Sequence, residues 1–175
     1  MNFLKGSCHY IITGVWSELA AREAEILGHT SRQDIRRGAD PVSLIDPSDW
    51  QIDSQASYCH VTSNETINGI EHFVLPAVTT PIVSDVSSTL LSRPFDLKPY
   101  HLVYACAQKN MGIAGVTIVI LKEDWLEKRN GNLSSMLDYE NHLSAQSLYN
   151  TSPTFSIYVS SLLFKWILEE GGLDE

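Results

Sequence analysis

Apolar residues in this chain cluster in short runs, each closed by a polar or glycine-containing turn. Residues 7–13 read as a strand that turns at Thr13-Gly14. A helix is predicted over residues 17–27, capped by Ser17, with Glu18 at its positive end and Gly28 as a left-handed stop. Leu19, Ala20, Ala24 and Leu27 share one face of it, Glu18 and Arg22 pair on another, and Trp16 falls in the connecting loop. Residues 31–53 are broken by Asp46, Pro47, Ser48 and Asp49, which predicts turns around one short strand or helix. Residues 56–62 form the next strand, followed by the polar loop of residues 63–66, and Ile82-Val83 leads a further strand into Ser84-Asp85. Residues 101–106 and 115–120 are near-continuously apolar, as in strands covered on both faces. The link between them is too short for a parallel crossover, so the second is expected to run antiparallel. A small helix follows from Glu123, then a loop at Asn130-Gly131-Asn132. The last element is a helix over residues 153–170, with Pro153 in its first turn and Gly171-Gly172 ending it. Phe155, Tyr158, Val159, Leu162, Leu163, Trp166 and Ile167 give it a wide apolar face that needs the sheet or another subunit as partner. The pattern is that of an α/β fold with a mainly parallel sheet.

Length adds one constraint: 175 residues are enough for one domain with a substantial core. The formal charge of −9 offers no basic patch for nucleic acid. Cys8, Cys59 and Cys106 lack any C-x-x-C spacing, so reduced thiols are expected and neither a disulfide framework nor a metal site is. The apolar run at Tyr10-Ile11-Ile12 is too short for a signal-peptide core, and the run from Val159 to Leu168 is interrupted by serines and Lys165. No membrane span and a cytoplasmic location are the expectations.

Chemistry concentrates between Ser84 and Asn110. Asp85 closes one strand, and Lys109 lies just past the end of the next. In a parallel α/β sheet such ends lie side by side at the edge where ligands bind. A buried lysine facing a fixed carboxylate suits a Schiff-base cofactor such as pyridoxal phosphate, the amine taking the aldehyde and the acid pairing with the ring nitrogen. The plainer alternatives are a surface lysine and an aspartate that caps the next turn. Trp16 fits either a core position or a wall against a flat ring, and the plainer reading of Thr66 is the end of a turn.

Three segments carry a resemblance to a known family. Residues 84–94 (Ser-Asp-Val-Ser-Ser-Thr-Leu-Leu-Ser-Arg-Pro), 104–112 (Tyr-Ala-Cys-Ala-Gln-Lys-Asn-Met-Gly) and 149–155 (Tyr-Asn-Thr-Ser-Pro-Thr-Phe) closely resemble the phosphoserine aminotransferases. These are fold-type I enzymes of the class-V aminotransferase group. Residues 64–69 (Asn-Glu-Thr-Ile-Asn-Gly) and 14–16 (Gly-Val-Trp) follow the same pattern in the same order. The resemblance implies a three-layer, mainly parallel sheet with flanking helices, and pyridoxal phosphate as cofactor. It implies Lys109 as the Schiff-base lysine and proton shuttle, and Asp85 as partner of the ring nitrogen. Trp16 is implied to stack on the ring, Thr66 to bond its phenolic oxygen and Gln108 to reach the phosphate. Asn150 and Thr151 are implied to bind that phosphate from the neighbouring subunit of a homodimer. The implied reaction is reversible amino transfer between glutamate and 3-phosphohydroxypyruvate, giving phosphoserine and 2-oxoglutarate. It belongs to serine biosynthesis and, in bacteria, often to pyridoxine biosynthesis.

The resemblance covers the central half of a family member. Residues 1–175 are therefore expected to be part of the cofactor-binding large domain, with the final helix leading towards a small domain. The glycine-rich phosphate loop and most substrate-anchoring basic residues fall outside the matched portion. Two functional classes follow: a transaminase, or a catalytically silent remnant that binds the cofactor or associates with a complete subunit.

Overall fold

A computed structural model describes residues 2–38 and 43–173. In chain order it contains β1 (Ser7–Ile12), α1 (Val15–Leu27), β2 (His29–Asp34), β3 (Arg36–Arg37), β4 (Ser43–Leu44) and β5 (Cys59–Thr62). There follow β6 (Asn64–Glu65), β7 (Ile70–Glu71), β8 (Ile82–Asp85), β9 (Leu102–Cys106), β10 (Thr117–Leu121), α2 (Glu123–Leu126), α3 (Tyr139–Ser144) and α4 (Thr154–Glu169). The central sheet has six strands in the order β10-β9-β8-β5-β1-β2. All its pairs are parallel except β9 with β10. That exception is the one expected from the short connection.

Alternation along the strands sends side chains to two cores. On one face Cys8, Tyr10, Ile12, Val83 and Leu102 pack with Ala21 and Ala24 of α1 and with Trp125 and Leu126 of α2. On the other, Ile11, Cys59, Val61 and Ile82 meet Ile35 and Trp50, while Val103 and Ala105 meet Met111 and Phe164 of α4. Helices thus flank a mainly parallel sheet on both sides. Among the described residues no helix is long and apolar enough to cross a membrane.

Several expected details differ. α1 begins two residues earlier than expected, so Trp16 sits in its first turn, and Ser17 is its third residue. The helix buries Ser17, Ala21 and Ala24 and leaves Leu19 and Leu27 about half exposed, because small residues allow it to lie close to the sheet. Gly28 is extended (φ 174°). Glycine is needed there for space, since a Cβ would come within 2.8 Å of Leu4 Cδ2. β2 was hidden because its sequence, HTSRQD, is polar. It lies at the sheet edge and is held by backbone pairing to β1, which asks for no apolar alternation. Residues 63–66 are not a plain loop, for Asn64-Glu65 pairs with Ile70-Glu71 in a small hairpin. β10, at the opposite edge, is half exposed rather than covered on both faces. α3 was not anticipated. It is fixed from the far end of the chain, Asn2 Nδ2 donating to Leu137 O (2.7 Å) and Tyr139 N to Asn2 Oδ1 (3.1 Å).

α4 meets the sheet through its smallest residues. Ser156 and Ser160 are its buried positions, and Pro153 precedes its first turn. Phe155, Tyr158, Leu162 and Trp166 remain exposed. Ser156 Oγ donates to Ala114 O (2.8 Å), and the turn after β9 fits beneath because Gly112 and Gly115 have φ of +143° and +116° and no side chains. A Cβ on Gly112 would lie 2.9 Å from Ser160 Oγ and 3.3 Å from its backbone nitrogen. Gly112→Ala should therefore cost about 1–3 kcal/mol in denaturant unfolding. Gly131→Ala, which meets nothing within 4 Å, should change stability by under about 0.5 kcal/mol.

Candidate active site

The C-terminal ends of β5, β8 and β9 open onto a cleft of about 170 Å³ beside the first turn of α1. Its walls include Trp16, Thr66, Asp85, Gln108 and Lys109, together with Thr62, Asn64, Ser87, Ser88 and Cys106. Strand register places Asp85 opposite Thr62 on one side and Tyr104 on the other. Asp85 is half-buried, and its Oδ1 accepts from Ser87 N at 2.9 Å. It therefore does cap the following turn while its carboxylate also faces the cleft. That turn is tied down further. Ser63 Oγ donates to Asp85 O (2.9 Å), Cys106 N donates to Ser87 Oγ (3.1 Å), and Asn110 Nδ2 donates to Ser88 O and Leu90 O (2.9 and 3.1 Å).

Lys109 departs from expectation in one respect. Gln108 and Lys109 are exposed on the rim of the cleft, whereas a buried lysine was expected. The apolar anchors of this turn are Ala107 and Met111, which flank the two residues and lift them outward. Asn150 and Thr151 do not join the cleft. They are exposed in the segment before α4, where Asn150 lines a separate groove with Pro153 and Ile157.

The residue that spacing missed is Glu65. It is fully buried, and its carboxylate accepts from Trp16 N (2.8 Å, Oε2), Ser17 N (2.8 Å, Oε1) and Thr13 Oγ1 (3.3 Å, Oε1). Asn68 Oδ1 accepts from Val15 N (3.0 Å). Gly14, at the cap position of α1, has no side-chain oxygen to offer, so these acceptors come from the hairpin after β5. The first-turn amides carry the positive end of the helix dipole, which favours a carboxylate there. Gly14 has no side chain for lack of room, since its Cβ would lie 2.7 Å from Glu65 and 2.4 Å from Asn68 Oδ1. Ser17 Oγ closes the arrangement by accepting from Thr13 N and Gly14 N (2.9 and 3.0 Å). The signal available in the sequence was a glycine where a capping side chain belongs.

This clamp sets Trp16 on one wall. Trp16 is 43% exposed, and its Nε1 donates to Thr66 Oγ1 at 3.1 Å. The cleft thus offers a flat aromatic surface, one carboxylate, one amine and several hydroxyls. Thr62 Oγ1 on its wall is buried without a partner. An unsatisfied hydroxyl, a carboxylate acceptor and an aromatic wall together suit a polar, planar heteroaromatic ligand. Pyridoxal phosphate fits that description.

Comparison with known proteins gives the same direction. The family model for class-V aminotransferases matches residues 10–175. The phosphoserine aminotransferase of Bacillus subtilis (strain 168) is 42% identical over 176 residues, covering 99% of this chain and 49% of the relative. That of Geobacillus kaustophilus (strain HTA426) is 44% identical over 164 residues, 94% of this chain and 46% of the relative. A solved phosphoserine aminotransferase from Bacillus circulans subsp. alkalophilus superposes with a TM-score of 0.89 at 40% identity, over 99% of this chain and 49% of that one. A pyridoxal-phosphate-bound phosphoserine aminotransferase from Trichomonas vaginalis gives 0.88 at 37% identity, over 98% and 52%. The chain spans about half the length of the curated relatives it matches.

Glu65→Ala would leave two buried helix amides without an acceptor. Its expected cost is about 2–5 kcal/mol by denaturant unfolding. Hydrogen exchange at the Trp16 and Ser17 amides should accelerate, and unchanged exchange there would remove the clamp from its role.

Proposed function

This chain belongs to the class-V aminotransferase family, and on that premise we propose that it is the cofactor-anchoring part of a phosphoserine aminotransferase. The proposed reaction is reversible transfer of an amino group between glutamate and 3-phosphohydroxypyruvate, as in serine biosynthesis. One observation carries this reading: Trp16, Thr66, Asp85, Gln108 and Lys109 come from four separate stretches of chain and line a single cleft.

Pyridoxal phosphate, when bound, supplies an electron sink for a substrate carbanion. The residues supply the rest. Asp85, an acceptor when ionised, is suited to hold a proton on the ring nitrogen, so the ring keeps its electron demand. The Lys109 amine is the group for the aldehyde, and once free it can take and return the proton at the substrate carbon. Trp16 provides a stacking wall that excludes water from one side of the ring. Thr66 is assigned to the phenolic oxygen and Gln108 to the phosphate. Asn150 and Thr151, outside this cleft, are assigned to the phosphate held by a second copy of the chain in a homodimer. Residues 1–175 accordingly form part of a cofactor-binding large domain.

Added pyridoxal phosphate should give the chain a visible absorption band. Lys109→Ala should abolish it. Asp85→Asn should keep the band but weaken cofactor affinity about tenfold or more, as expected for losing a charged hydrogen bond. An unchanged band in Lys109→Ala would exclude that residue as the anchor.

A further inference from the structure

Trp16 is held at two points by consecutive residues of the hairpin after β5. Glu65 Oε2 accepts from its backbone amide (2.8 Å), and Thr66 Oγ1 accepts from its indole Nε1 (3.1 Å). Glu65 is fully buried and also accepts from Ser17 N (2.8 Å), so the backbone end is anchored to α1 itself. Trp16 and Thr66 line the same cleft as Asp85, Gln108 and Lys109. The contact at the indole end fixes more than the position of the ring.

An indole nitrogen can only donate, so the sense of this hydrogen bond is settled. The Thr66 oxygen is the acceptor, and its own single hydrogen is left over. Among the described residues no acceptor takes that hydrogen. Thr66 is exposed on the cleft wall, where the hydrogen can turn to a ligand. A hydroxyl that already accepts from an N–H is a stronger donor, because each bond in such a chain polarises the next. It is therefore matched to a ligand oxygen that carries negative charge.

We propose that Trp16 is a positioning residue as well as a wall. Its indole N–H orients and polarises the Thr66 hydroxyl, giving a directed chain from Trp16 Nε1–H to Thr66 Oγ1–H to the phenolic oxygen of pyridoxal phosphate. The consequence is electrostatic. Loss of a proton from the bound cofactor leaves more negative charge on that oxygen, and a donor held there favours the more charged form. The chain therefore keeps the pH midpoint of the visible band lower than it would be without the indole donor. This inference rests on the proposed cofactor site and gives the Trp16–Thr66 contact a task within it.

Two measurements on the full chain test it. In the cofactor-free protein, Thr66→Val should speed hydrogen exchange at the Trp16 indole N–H, read by nitrogen-15 NMR. Unchanged exchange there overturns the proposal. With pyridoxal phosphate added, Thr66→Val should raise the midpoint of the visible band by about one pH unit, whereas Thr66→Ser, which keeps the hydroxyl, should leave it in place. Trp16→Phe keeps an aromatic wall but removes the donor, and it should raise the midpoint by about 0.3 pH units. In a Thr66→Val background the same substitution should add nothing. An equal shift in both backgrounds, or none in either, overturns the positioning role alone and leaves the cofactor site standing. A wild-type chain without any visible band overturns the cofactor site and this inference with it.

Discussion

One buried carboxylate decides where the parts of this cleft meet. Glu65 sits in a hairpin after β5, far along the chain from α1, yet it satisfies the amides of Trp16 and Ser17. Leaving those amides buried and unpaired would cost several kcal/mol by the usual desolvation arithmetic, about as much as a marginal domain can lose. The clamp joins helix to hairpin, and in doing so it sets the Trp16 indole against Thr66. Gly14 is the matching concession, a residue without a side chain where any Cβ would collide with Glu65 or Asn68.

The other half of the cleft follows from parallel pairing. β5, β8 and β9 run the same way, so their C-terminal ends share one edge. Asp85 arrives there from one strand and Lys109 just after the next. The serine-rich turn after β8 is locked by Ser63, Cys106 and Asn110, which fixes the carboxylate without enclosing it. Beneath it, the face bearing Tyr104 and His60 is polar where a core of this kind would ordinarily be apolar. Burying such groups is costly unless they are hydrogen-bonded, and His60 Nε2 and the Tyr104 hydroxyl, 3.0 Å apart, meet part of that need in each other.

Much of this was legible in the sequence because the signals were local. The short apolar runs marked β1, β5, β8, β9 and β10, and the brief link before β10 fixed its antiparallel sense. Asp85 and Lys109 declared themselves by their places at strand ends. What could not be read was set by contacts distant in sequence. β2 is polar and exists through pairing with β1, while α3 depends on Asn2 at the other end of the chain. α1 and α4 bury serine and alanine rather than their larger apolar residues, because close approach to the sheet outweighs side-chain area there. Glu65 looked like one more polar residue in a turn, and only its opposition to an uncapped helix start distinguishes it.

The most direct measurement is chemical. Borohydride reduction of the chain in the presence of pyridoxal phosphate, followed by peptide mass spectrometry, locates the amine that captures the aldehyde. A single adduct at Lys109, present at cofactor concentrations too low to label Lys5, Lys98, Lys122, Lys128 or Lys165, is the expected result. Labelling spread evenly over those lysines, or concentrated on any of them, would contradict the assignment of this cleft as the cofactor site.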